Sequence, residues 1–273
     1  MTRPLGRISL IQLFTIILLG CNMAQAQPGP LVTKSDVHFI PLKSDSRIFY
    51  ESGAEDIALK IASYLPESIA KIEKELFRPF VKAVQVYVFR NEEDFAAYTG
   101  VSKLEWGVMM SEKVYLSGIV RKAPDNHVKA ILTHELVHLY LQQKLGQDGF
   151  NIGLPIWFKE GLAELISGGT AMEAVTESDA AQVILEGKHF EPDTRGRLLP
   201  PKQYRYGLEP HMFYRQTEMF VAYLQSIDGK KFRAFILAIE DSHDFERSFR
   251  GVFGFTIFDA WVQFVKGLNS YVK

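Results

Sequence analysis

Three features of the sequence predict an α+β fold. Short runs rich in β-branched and aromatic residues lie between positions 36 and 120, separated by turn residues, and read as strands of an N-terminal mixed or antiparallel sheet. Between and beyond them, apolar side chains recur at spacings of three and four, the mark of helices with one buried face. From Pro210 onward that spacing is interrupted only by Gly, Asp or Ser, so the C-terminal part is mainly helical.

The elements follow in order. HFIPLK and RIFYE, between Asp36 and Glu51, form a pair of strands around the turn residues Ser44-Asp45-Ser46. Ala54 to Phe77 is a helix striped by Ile57, Ile61, Leu65, Ile69, Ile72 and Leu76, with Pro66 as a point where it would kink or divide and Pro79 as its end. VKAVQVYVF is a strand, and Asn91 caps a short helix through Tyr98. Residues 106–120 make two strands about a turn at Ser111-Glu112-Lys113, and the strand just before the next helix is read as a sheet edge able to pair with an extended peptide.

That next helix begins at Pro124-Asp125-Asn126, ends at Gly146 and contains His134-Glu135-Leu136-Val137-His138. Residues four apart stack on one helix face, so the two imidazoles address one point. Two ring nitrogens there fill two corners of a zinc tetrahedron, and Glu135 holds a carboxylate beside the metal, where it can take a proton from water. Two imidazoles and a carboxylate on an otherwise apolar helix would be costly to bury without partners.

A further helix, opening near Pro155 and closing at Gly168-Gly169, carries Glu160 and Glu164 on one face. Carboxylates four apart usually mark a solvated face. Here an upstream helix with two metal ligands and no third favours a ligand instead. Residues 170–210 are less regular, with a helix near Glu177–Glu186 and a polar, proline-bearing stretch that either rims the site or is an inert insertion.

HELVH followed by WFKEGLAE, with Glu160 coming 22 residues after His138, resembles the gluzincin metallopeptidases, and among them the bacterial peptidase MA-like families. The resemblance spans roughly residues 80–270 and implies a zincin-like fold. It implies that His134, His138 and Glu160 bind one zinc ion, that Glu135 is the general base, and that Glu164 is a carboxylate orienting a ligand histidine. A Tyr or His from a later helix supplies the oxyanion donor in the better-known members; by position Tyr214 comes first, with His211 and Tyr206 behind it. The aminopeptidase branch has a Gly-x-Met-Glu-Asn motif before the zinc helix. Gly107-Val108-Met109-Met110-Ser111 stands in a similar place, with Met110 where the amine-gripping Glu would be. Endopeptidase or trimming activity on a peptide or protein is therefore the expectation. A non-catalytic envelope scaffold that keeps the fold and metal is the alternative, and hydrolysis of another amide, such as a cell-wall peptide, is a third reading. Imidazole and carboxylate donors also accept ions close to zinc.

The N-terminus reads as a targeting segment over residues 1–26: Arg3 and Arg7 precede an apolar run from Ile8 to Leu19. Ala24-Gln25-Ala26 suits a signal peptidase, while Leu18-Leu19-Gly20-Cys21 resembles a lipobox, so export leads either to a soluble periplasmic or secreted protein or to a lipid anchor at Cys21. Residues 27–35 form a flexible lead-in, 36–169 an α/β core with the zinc site, and 170–273 a mainly helical C-terminal subdomain. A single cysteine excludes an internal disulfide framework, and a net charge of −1 points away from nucleic acid. Oligomeric state is left open by the sequence.

Overall fold

A computed structural model describes residues 37–170, 174–196 and 205–272. The targeting segment, Cys21, the lead-in and residues 197–204 of the proline-bearing stretch lie outside the described residues. The fold is α+β: a five-stranded mixed sheet built from the N-terminal part, then helices.

The sheet contains β1 (Phe39–Pro41), β2 (Ile48–Glu51), β3 (Val86–Val88), β4 (Gly107–Met110) and β5 (Lys113–Leu116), in the order β1-β2-β3-β5-β4. β1/β2 and β4/β5 are antiparallel, whereas β2/β3 and β3/β5 are parallel. The helix α1 (Glu55–Glu75) makes the crossover from β2 to β3. Side chains alternate between the two faces, as the strand pleat requires. Val86, Val88, Val114 and Leu116 enter the main core. Tyr115 joins Phe89 and Phe95 in a second cluster, against which Tyr87, Val108 and Met110 pack. Phe95 belongs to α2 (Glu92–Thr99), whose N-cap Asn91 accepts from the Asp94 amide at 2.7 Å.

Three expectations need correction here. The strand immediately before the histidine helix is β5, and it is interior; the edge on that side of the sheet is β4, with β1 at the other. Strand order depends on the pairing of β3 with β5, a contact that no local pattern encodes. The second of these strands also ends at Leu116 rather than near residue 120, because Gly118–Lys122 forms a 3-10 turn. A Cβ on Gly118 would overlap the Arg90 carbonyl and the Asn91 amide, so the chain turns there with no room for a side chain. Nor does Pro66 divide α1, which continues through it to Glu75. The buried stripe of Ile57, Ile61, Leu65 and Ile72 holds both halves on the same core, at about 1.5–3 kcal/mol for each large apolar side chain. The helix ends before Pro79: Leu76 caps it, and Phe77 turns the chain away with a φ of 69°.

The main core lies between the sheet, α1 and α3 (Asp125–Asp148). Tyr140 of α3 donates its hydroxyl to Glu240 at 2.9 Å, and Arg78 pairs with the same carboxylate at 3.1 Å. α3 breaks at Gly146, where φ is 70° and ψ 174°, and a π-type turn (Gly149–Gly153) leads to α4 (Ile156–Ser167). α5 (Glu177–Leu185) starts in a reciprocal Thr176/Asp179 cap. Then come α6 (Pro210–Ile227), α7 (Gly229–Ser242), α8 (Phe245–Phe253) and α9 (Ile257–Gly267). Trp157 and Phe158 of α4 are buried among Phe190, Phe220, Phe235 and Phe245, which fixes α4 to the C-terminal helices.

Candidate metal centre

The helical register of α3 places the His134 and His138 rings 4.8 Å apart between centroids. Their Nε2 atoms are 3.1 Å apart, and Glu160 Oε2 from α4 lies 3.3 Å from the first and 3.4 Å from the second. Bonds of 2.0–2.1 Å at tetrahedral angles require donor atoms about 3.3–3.4 Å apart. The triangle therefore fits a small divalent ion, and His134, His138 and Glu160 could hold one. The histidines are 7% and 8% exposed, while Glu160 is only half-buried, so the group opens on one side. Three protein donors with an open side are the pattern of catalytic rather than structural zinc sites.

His134 is held from behind. Its Nδ1 lies 2.8 Å from Glu164 Oε1, a carboxylate that favours a proton on Nδ1 and leaves Nε2 facing the space between the three donors. Burial would raise the Glu164 carboxyl pKa, but contacts with His134 and Thr170 outweigh it and hold the group below its ordinary range. His138 is treated differently: the edge of Phe150, on the π-type turn, faces its ring at 6.0 Å between centroids. The Phe150 carbonyl accepts from the buried Lys159 ammonium at 2.9 Å, and that ammonium lies 4.3 Å from the Phe150 ring centroid. Burial lowers the Lys159 pKa to about 8.

Glu135 leaves the helix toward β4. A Cβ on Gly107 would sit 3.0 Å from Glu135 Cγ and 3.1 Å from Leu116 Cδ2, so a side chain there would press on both and shift one of them by a few tenths of an ångström. Burial raises the Glu135 carboxyl pKa; the two histidines oppose this, Glu160 adds to it, and a hydrogen bond from the Met109 amide opposes it again.

Tyr214, on the first turns of α6, packs edge-on to His134 with ring centroids 6.1 Å apart. His211 is exposed, and the Tyr206 hydroxyl donates to Asp193 at 3.3 Å. Of the three oxyanion-donor candidates, Tyr214 is the one whose ring lies against His134.

Sequence reasoning did not single out Thr170, Lys159 or Gly161, nor the packing role of Gly107. Gly161 follows Glu160 in the EGLA run, and a Cβ there would overlap the Thr217 carbonyl of α6 and lie 2.8 Å from Val221 Cγ2. Its glycine could have suggested close helix packing; Lys159 carried no comparable signal.

The converging donors predict how metal-free protein responds to pH. Burial works against a charged His134, but Glu160 and Glu164 raise its pKa well above the ordinary 6.5. Its proton therefore stabilises the fold below about pH 6.5, and that contribution fades as pH rises through the higher folded value. Burial works against a charged Glu160, but the two histidines hold its pKa below the ordinary 4.5. Its contribution is present above about 4.5 and is lost as pH falls through the depressed value. Chelator-treated protein should thus melt highest in mildly acidic buffer. A divalent ion added to the three donors would have to displace the His134 proton, so its affinity should fall about tenfold per pH unit below the folded His134 pKa. Calorimetry and chelator competition across pH check both; a metal-free melting temperature that climbs steadily into the alkaline range would contradict the first.

A family model described as "peptidase of plants and bacteria" (BSP) matches residues 46–186, just over half of the chain. The matched span runs from before β2 through α5 and includes all three donor residues. No curated protein matches the chain.

Proposed function

The chain belongs to the peptidases of plants and bacteria, and from that premise we propose that it is an exported zinc metallopeptidase of the gluzincin kind. The observation that carries this reading is the His134, His138 and Glu160 triangle with the Glu135 carboxylate beside it. A divalent ion held by those three donors would supply Lewis acidity and make water a stronger acid at neutral pH.

The chain's own residues do the rest. Glu135 takes the proton of the attacking water and passes it to the departing amine; its raised pKa brings the two proton affinities closer together. Glu164 keeps the His134 ring in one orientation. Tyr214 donates its phenolic hydrogen to the developing oxyanion. β4, the edge strand beside Glu135, pairs with an extended peptide by adding a strand. Met110 packs with the Phe89, Phe95 and Tyr115 cluster, and a thioether cannot pair with a free ammonium, so cleavage within a chain is favoured over aminopeptidase action.

Export rests on the basic and apolar N-terminal segment, with either Ala26 or Cys21 marking the processing point. No helix of the described residues is long and apolar enough to cross a membrane.

The test is incubation of the purified protein with mixed-sequence peptides. Internal cleavage should appear, disappear after dialysis against a chelator, and return with one equivalent of zinc. Protein carrying that one zinc and cleaving no peptide would sink the proposal.

A further inference from the structure

The contacts around Glu164 run on beyond the residues assigned so far. α4 stops at Ser167, and Gly168 and Gly169 follow with φ of 91° and 82°. Two left-handed residues in succession turn the chain back over the helix end, a path that glycine follows without strain. Their amides donate to the Glu164 carbonyl at 3.1 and 2.8 Å.

The reversal delivers Thr170 to the Glu164 carboxylate. The Thr170 amide donates to Oε2 at 2.6 Å, and its hydroxyl donates to Oε1, the oxygen that faces His134 Nδ1. Glu164 is 0% exposed, so bulk water does not reach the carboxylate in place of either donor.

We infer that Thr170 is a positioning residue for metal binding, fixing the Glu164 carboxylate that in turn aims His134 Nε2 at the ion. The inference rests on reading the three donors as a metal centre. Its chain of contacts passes from a residue beyond the end of α4, through a buried carboxylate on α4, to a ligand on α3. A residue that merely capped α4 would need only the backbone amide, whereas the hydroxyl here shares its acceptor oxygen with the histidine.

Thr170→Val removes the hydroxyl and keeps the branched shape and the amide; Thr170→Ser keeps the hydroxyl. The T170V protein should bind zinc about tenfold more weakly, as other losses of outer partners to ligand histidines do. Its cobalt-loaded form should show a shifted visible spectrum, and T170S should return both properties close to wild type. The melting temperature of metal-free protein separates positioning from capping, since it should move little in T170V. Zinc affinity and cobalt spectrum unchanged in T170V would overturn the inference alone, and so would equal weakening in T170S. A wild-type protein that takes up no divalent ion would overturn the metal-centre reading and this inference together.

Discussion

Glu135→Gln should lower peptide hydrolysis by about a thousandfold, within the range that positioned acid–base groups contribute. The amide has the carboxylate's shape and can still accept from the Met109 amide, so β4 should stay against α3. It cannot accept the proton of the attacking water. Zinc affinity should remain near wild type, because Glu135 is not one of the three converging donors. Steady-state kinetics with zinc titration gives both readings. Retention of most activity in the variant would remove Glu135 from the mechanism.

Gly161→Ala should have the larger effect on stability, and should weaken zinc binding as well. The added methyl would meet the Thr217 carbonyl, a backbone atom that no rotamer change can move aside. α4 and α6 must separate, and overpacking of this kind costs about 3 kcal/mol at its upper range. α4 also carries Glu160 and Glu164, so the separation shifts one donor and the support of another relative to the histidines of α3. Denaturant unfolding and chelator competition should show both losses in G161A. A variant with wild-type stability and zinc affinity would mean that the helices have slack the described packing lacks.

What was legible beforehand depended on the range of the interaction concerned. The pairing of His134 with His138 is a property of four consecutive helical steps, and any amphipathic helix brings it about. Glu160 was reachable because α4 follows α3 after a short connection and its carboxylates stood out against an apolar face. The N-terminal sheet and the run of C-terminal helices followed from side-chain periodicity, which left mixed and antiparallel pairing both open. The edge strand did not, since β5 becomes interior only by pairing with β3. Thr170 was hidden for a different reason. Its role arises from two backbone angles at Gly168 and Gly169, and a Gly-Gly pair signals the end of a helix without saying where the chain goes next. The packing of Gly107 on Glu135 likewise joins residues far apart in sequence whose contact is fixed by tertiary structure.

The broken join between α3 and α4 bears on how the protein first assembles. Only 22 positions separate His138 from Glu160, so an ion gripping both closes a small loop, and the entropic toll of closure grows only slowly with loop length. β4 must instead be recruited from outside that loop. A divalent ion held by the three donors would therefore not have to wait for the sheet to be completed during refolding, because none of those donors comes from a strand.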